Sequence, residues 1–295
     1  MIQKEKTLNT AEVLASALPY IQEYQGKTMV VKYGGNAMGD HSIETSFARD
    51  IVLMKFVGIN PIVVHGGGPQ IGEMLNKIGK ESEFFNGMRV TDDETMGIVE
   101  MVLGGLVNKE LVGLINSNGG KAIGLTGKDA NLLKARKLTV ESVDYDRGGG
   151  NIVDLGRVGE VADVNTELLN FFKNGDFVPV IAPVGFGSDG KSYNINADYV
   201  AGKIAEAMNA EKLLIMTNTE GLKDENGTLV THANQNLVQN FMASGVIGEG
   251  MIPKVNSVLS AVKNGVNRSH IIDGRVSHAL LLEVFTNEGI GTLIE

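Results

Sequence analysis

Past Gly26 the chain alternates between two hydrophobic patterns. Short apolar runs, such as Thr28-Met29-Val30-Val31 and Pro61-Ile62-Val63-Val64, show no polar alternation and read as strands buried on both faces. Between them apolar residues recur three and four apart, the helical spacing. The clearest such stretch is 41–58, through Ile43, Phe47, Ile51, Met54 and Phe56. Helices are also expected from the second strand to about Gly79, over 92–116, 165–174, from Asn196, near 233–244, at 252–264 and at 277–285. Strands are expected at 122–125, 177–182, 212–217 and 269–272. Residues 84–91 form a hairpin signature around Asn86-Gly87, and 138–161 reads as hairpins with a turn at Arg147-Gly148-Gly149-Gly150. Buried strands alternating with helices predict an α/β fold, a three-layer sandwich with a mostly parallel central sheet. No Pro- or Ser-rich linker interrupts the pattern, so two lobes sharing one sheet are expected, dividing near Ala182.

The segment before Gly26 stands apart. Asn9 is a candidate cap with Glu12 three residues on, and Val13, Leu14, Ala17, Leu18 and Ile21 share a helical face that Pro19 should kink. Such a helix either docks on its own domain or is swapped onto a neighbouring subunit.

Composition narrows the function. Over 295 residues, 26 Lys+Arg stand against 35 Asp+Glu, a net charge of −9, which speaks against nucleic-acid binding. There are no cysteines, which excludes disulfides, thiolate metal sites and cysteine nucleophiles. The longest mostly apolar stretch, 177–186, contains two prolines and is too short for a membrane helix. The N-terminus lacks an apolar signal core, so a cytoplasmic protein with no membrane association is expected. Glycine is abundant, 38 residues, and falls just after apolar runs, where a loop can bring bare backbone to a ligand.

One motif misleads. Gly185-Phe186-Gly187-Ser188-Asp189-Gly190-Lys191-Ser192 matches the phosphate-loop pattern, yet no helix pattern begins at Lys191-Ser192, so it reads as a hairpin. No dinucleotide fingerprint follows a strand. His65 has no second histidine at ligand spacing and reads as local turn chemistry rather than a metal ligand. The stronger constellation is distributed. Lys32 precedes Gly34-Gly35 at the end of the first strand, and Gly66-Gly67-Gly68 ends the second. In parallel sheets ligands bind at the carboxyl ends of strands, so both turns are expected to line one crevice and to favour phosphate or carboxylate. Asn194-Ile195-Asn196-Ala197-Asp198 places two amides and a carboxylate at a strand-to-helix junction. Lys254, after Pro253, opposes the dipole of the helix it begins, so a purely structural purpose is harder to find, the alternative being a solvated surface lysine.

Taken together, Lys32-Tyr33-Gly34-Gly35-Asn36-Ala37-Met38, Val63-Val64-His65-Gly66-Gly67-Gly68-Pro69, Phe85-Asn86-Gly87-Met88-Arg89-Val90-Thr91, Tyr193-Asn194-Ile195-Asn196-Ala197-Asp198 and Gly250-Met251-Ile252-Pro253-Lys254-Val255 resemble the acetylglutamate kinases. These are the arginine-biosynthetic branch of the amino acid kinase family. The matches run in family order from about residue 28 to the C-terminus. The resemblance implies phosphoryl transfer from ATP, with Mg²⁺ held mainly by the nucleotide phosphates and no protein metal site, to the side-chain carboxylate of N-acetyl-L-glutamate. It assigns Lys32 and Lys254 to the transferring group and makes Asp198 their organiser. Gly67, Gly68, Arg89 and Asn194 would hold acetylglutamate, and Gly34, Gly35, Thr217, Asn218, Gly221, Leu222 and Gly248 the nucleotide. Asn218 departs from the family's usual aspartate. The division implied is an N-terminal helical extension (1–25), an acetylglutamate-binding and dimerisation lobe (26–182) and a nucleotide-binding lobe (183–295).

The N-terminal extension resembles that of arginine-inhibited members, in which it interlaces dimers into a hexameric trimer of dimers. His270, Glu283 and Gly289 resemble the family's arginine site, where Glu283 would pair with the guanidinium of the inhibitor L-arginine. Some relatives also bind a trimeric signalling protein of the PII type. Two rival readings are a kinase for N-acetyl-aminoadipate, one methylene longer, and a catalytically silent arginine sensor. The presence of both lysines and Asp198 speaks against the sensor.

Overall fold

The structure, a computed structural model, describes residues 12, 15–34, 38–144, 149–248 and 250–295. The expected N-terminal positions Asn9, Val13 and Leu14, the turn at Arg147-Gly148, and Gly35 lie outside the described residues.

Pro19 sits in the first turn of α1 (Leu18–Tyr24), where its missing N–H costs no hydrogen bond. The first half of the chain continues through β1 (Thr28–Tyr33), α2 (His41–Phe56), β2 (Asn60–His65), α3 (Gly68–Lys77), the small hairpin β3 (Phe84–Phe85) and β4 (Met88–Arg89), and α4 (Asp93–Glu100). The single helix expected over 92–116 is three segments: α4, a π-helical stretch Met101–Val107, and α5 (Asn108–Ser117). Then come β5 (Ala122–Thr126), β6 (Leu133–Lys137), β7 (Val140–Asp144), β8 (Gly149–Val153), β9 (Gly159–Val164), α6 (Thr166–Lys173) and β10 (Val178–Ala182). The second half holds β11 (Val184–Gly187), β12 (Ser192–Asn194), α7 (Ala197–Ala207), β13 (Lys212–Thr217), β14 (His232–Ala233), α8 (Gln235–Ala243), α9 (Ile252–Lys263), β15 (Arg268–Asp273), α10 (Ala279–Val284) and β16 (Thr292–Ile294).

Eight strands form one sheet in the order β14-β16-β15-β13-β1-β2-β10-β5. All neighbours pair in parallel except β15 with β16. The sheet runs unbroken through the β13–β1 pairing, so both halves share it. Consecutive residues of β1 feed opposite cores. Val30 joins the layer under α7 and α9, while Met29, Val31 and Tyr33 join the layer under α2, α5 and α10. This explains the continuous apolar strands and makes the molecule a three-layer sandwich. A second sheet, β12-β11-β6-β9, stands beside the carboxyl ends of the main strands. Among the described residues no helix is long and apolar enough to cross a membrane.

Candidate active site

Lys32 is the one charged side chain of β1 and points to the α7 side, next to Val30. Asp198 lies in the first turn of α7, whose cap is Asn196: its Oδ1 accepts the Asp198 N–H at 2.8 Å. Lys254 lies in the first turn of α9. Helices α7 and α9 cross closely at Gly202, where any side chain would collide with the Ser257 hydroxyl, and Ser257 Oγ donates to the Asp198 carbonyl at 2.5 Å. The crossing brings Lys254 Nζ to 3.3 Å from Asp198 Oδ2, while Lys32 Nζ stands 3.0 Å from Oδ1. The Lys32 contact is a charge pair lying off the hydrogen-bonding direction, for Oδ1 has no aligned donor. Burial alone would raise the Asp198 carboxyl, but the two ammonium groups outweigh it and hold it below the usual carboxylate range. The result is one anion between two cations, a net positive cluster at the carboxyl ends of the central strands.

The two glycine turns meet there. Tyr33 pairs with His65 in register, Gly66 N–H donates to the Tyr33 carbonyl at 2.8 Å, and a side chain on Gly34 would touch the Gly66 backbone. At Gly67 a Cβ would stand 2.5 Å from Leu103 Cδ2, so the π-helical segment presses directly on the turn. Gly67 caps α3 and Gly68 begins it, which leaves the first amides of the helix without intrahelical partners. A cavity of about 540 Å³ opens beside them. Gly66, Gly67, Gly68, Arg89, Asn194 and Asn196 supply its polar wall, and Leu103, Val140, Val158 and Val161 are among its apolar lining. Arg89 reaches it from the β3–β4 hairpin, with Nη2 donating to the Gly68 carbonyl at 3.0 Å and Nη1 to Ser82 Oγ; its guanidinium lies 4.7 Å over the Phe84 ring.

A second cavity of about 400 Å³ lies beside the entry to α9, where Gly250 and Met251 line it. It is lined by Thr217, Asn218, Gly221, Leu222, Ile247 and Gly248 among others, so five of the expected nucleotide residues share one wall. Gly34 does not line it but packs against the Gly66 turn, and Gly35 and Glu249 lie outside the described residues. The Thr217 hydroxyl donates to Asn218 Oδ1 at 3.4 Å, which leaves the Asn218 amino group as a donor where the family's aspartate would accept.

His270, Glu283 and Gly289 also come together, on the opposite face of the sheet. His270 Nδ1 lies 2.5 Å from Glu283 Oε1, and Glu283 Oε2 accepts from Ile290 N–H at 2.7 Å. Both side chains are buried. Burial pushes the His270 imidazole down, and Glu283 stays below the usual range because its hydrogen bonds to His270 and Ile290 outweigh its own burial. The pair is a neutral imidazole donating to a carboxylate. Both Glu283 oxygens therefore already have donors within the chain, which a guanidinium would have to share or displace.

The phosphate-loop look-alike is a hairpin, in which β11 and β12 pair antiparallel and Asp189 accepts from Lys191 N–H and the Tyr193 hydroxyl. His65 is fully buried, its Nδ1–H donating to the Gly66 carbonyl at 2.8 Å and its Nε2 accepting from Asn108 at 3.1 Å; burial pulls it down to about 4. Sequence reasoning did not single out Gly202, Ser257 or Leu103, whose importance is a tertiary contact, nor Asn196 as part of the cavity. Among the described residues no group of three His, Asp or Glu side chains is placed to hold a metal ion.

The family model of the amino acid kinase family matches residues 27–273. The chain is 60% identical over 288 residues to the acetylglutamate kinase of Ruthia magnifica, covering 98% of this chain and 96% of that one. It is 59% identical over 293 residues to the acetylglutamate kinase of Hydrogenovibrio crunogenus, covering 99% and 98%. A crystal structure of N-acetylglutamate synthase from Neisseria gonorrhoeae, complexed with coenzyme A and N-acetyl-glutamate, superposes with a TM-score of 0.83 at 25% identity. That match covers 96% of this chain but only 63% of the synthase chain. A match over most of the chain to the family and over its whole length to these relatives establishes that the chain belongs to the amino acid kinase family, in its acetylglutamate kinase branch.

Proposed function

We propose that the chain transfers the γ-phosphoryl group of ATP to the side-chain carboxylate of N-acetyl-L-glutamate, giving an acyl phosphate and ADP, the second step of arginine biosynthesis. The observation that carries the reading is Asp198 held between Lys32 and Lys254 at 3.0 and 3.3 Å, at the carboxyl ends of the central strands. A carboxylate oxygen of acetylglutamate forms the new bond to phosphorus as the bond to the ADP oxygen breaks. The nucleophile is already ionised at neutral pH, so no proton moves and no general base is needed. Catalysis is then positioning and neutralisation of charge spread over the transferring group. Lys32 and Lys254 supply that positive charge, and Asp198 keeps both ammonium groups in place. The backbone amides of Gly67 and Gly68 add donors at the α3 N-terminus. Arg89 suits the planar capture of the α-carboxylate, and Asn194 the acetamido group.

ATP suits the 400 Å³ cavity, whose volume is in the range of ligand sites and whose wall combines glycines with apolar Leu222, Ile247 and Met251 and polar Thr217 and Asn218. Mg²⁺ carried on the nucleotide phosphates would neutralise part of their charge; both Asp198 oxygens already face lysines, so this carboxylate is not the one that would hold it. In this reading residues 26–182 serve acetylglutamate and dimerisation and 183–295 the nucleotide, in the cytoplasm, with residues 1–25 joining dimers into a hexamer. Feedback inhibition by L-arginine is proposed at His270, Glu283 and Gly289, supported by the close approach of the Gly289 backbone to the buried Glu283–His270 pair.

The test is ADP release with MgATP and each of N-acetylglutamate, glutamate, aspartate, carbamate and N-acetyl-aminoadipate, with and without arginine. Turnover selective for N-acetylglutamate is expected, and turnover selective for another acceptor would refute the assignment.

A further inference from the structure

We infer that Thr91 is a positioning residue which fixes the orientation of the Asn194 side-chain amide, so that this amide presents its oxygen, and not its nitrogen, to the acetylglutamate cavity. The inference rests on the function proposed above and names how one part of that site selects its ligand.

Thr91 follows the β3–β4 hairpin and is fully buried. Its backbone is held on both sides: Thr91 N–H donates to the Leu155 carbonyl at 3.0 Å, and Arg157 N–H donates to the Thr91 carbonyl at 2.5 Å. The segment 155–157 lies so close that any side chain on Gly156 would collide with the Thr91 carbonyl. With the backbone fixed, the hydroxyl has two neighbours, the Arg89 carbonyl at 2.7 Å and the Asn194 amide at 3.2 Å. A hydroxyl has a single proton, and a carbonyl only accepts, so that proton goes to Arg89. The Asn194 group facing Thr91 must therefore donate, which makes it Nδ2. Its Oδ1 is left on the other side, in the wall of the cavity, and no donor among the described residues reaches it.

An unmatched amide oxygen in a site of this kind selects a ligand N–H. The substrate feature it fits is a secondary amide nitrogen, such as that of an N-acyl amino acid. A ligand with an ester oxygen at that position would set two acceptors against each other. The same hydroxyl also ties the backbone of Arg89 to Asn194, so the carboxylate-binding and amide-binding groups keep one relative position.

The test compares N-acetyl-L-glutamate with its ester isostere, 2-acetoxyglutarate, as acceptors for wild type, Thr91→Val and Thr91→Ser. Wild type and Thr91→Ser should prefer the amide by about tenfold to a hundredfold in kcat/KM, the usual cost of an unmatched polar group. In Thr91→Val the Asn194 amide is free to turn over. Its preference should shrink to within about threefold, with the acetylglutamate loss appearing in KM more than in kcat. The ratio between two acceptors is independent of how much of each variant folds. A full preference retained in Thr91→Val would overturn the inference and leave the kinase assignment standing. Absence of acetylglutamate turnover in wild type would overturn that assignment and the inference with it.

Discussion

Asp198 and Glu283 are both buried carboxylates, each set against a basic side chain of the central sheet, yet they are built for opposite tasks. Lys32 of β1 and His270 of β15 flank β13 and point to opposite faces of the sheet. Asp198 is matched by two lysine ammonium groups, so its cluster carries a net positive charge and attracts anions. Glu283 is matched by an imidazole and a backbone amide, with the buried Lys212 ammonium of β13 acting on it only through space, so no cation sits directly on its oxygens. The identity of the partner, more than burial, decides whether a buried carboxylate organises an anion site or is tied into the packing of strand against helix.

The largest effect should come from unbalancing the first cluster. Lys254→Ala is expected to lower kcat by about 10²–10³, as removal of a transition-state donor does elsewhere, with a small change in acetylglutamate KM. Near-normal turnover would take Lys254 out of the mechanism. Asp198→Asn should lower kcat by a similar factor and also destabilise the fold by about 3 kcal/mol or more, because two ammonium groups lose their counter-charge. Chemical denaturation beside steady-state kinetics separates the two losses.

Smaller effects sharpen the contrast. Arg89→Ala should raise acetylglutamate KM by about tenfold to a hundredfold through a lost charged hydrogen bond, and leave ATP KM near its original value. An effect confined to ATP would contradict its place in the cavity. Glu283→Gln should raise the arginine concentration for half-inhibition by about tenfold or more; an unchanged inhibition curve would remove Glu283 from arginine recognition. The smallest effect concerns His65. Burial holds it at about 4, below its ordinary 6.5, so the unfolded chain takes up a proton that the fold refuses. Its contribution to stability is present above pH 6.5 and lost as pH falls toward 4, at most about 3 kcal/mol. His65→Gln should flatten that part of the stability–pH curve, and an unchanged slope would assign the acid sensitivity elsewhere.

Much of this architecture is legible in sequence, for a physical reason. Strands buried on both faces are continuous apolar runs, and β1, β2, β10, β13 and β15 were read from that pattern. Strands β14 and β16 were not, since two or three residues carry no period and His232 and Thr292 look like loop. The π-helical stretch at Met101–Val107 keeps helical spacing on either side, so nothing but Gly104-Gly105 marks it. Lys32, Asp198 and Lys254 were visible as charges at element ends, where ligands are met. That one carboxylate spans both lysines depends on the Gly202–Ser257 crossing, a contact between distant residues that no local pattern encodes. The pairing of His270 with Glu283 is hidden for the same reason.

The central claim is that Lys32 acts on the transferring phosphoryl group, held there by Asp198. Its most direct test is acyl phosphate formation from MgATP and N-acetylglutamate, trapped as the hydroxamate, in wild type and Lys32→Ala, with acetylglutamate binding measured by calorimetry in both. The account predicts abundant hydroxamate in wild type and a loss of at least about a hundredfold in Lys32→Ala, with binding changed by less than about threefold. Equal hydroxamate formation by the two proteins would contradict it.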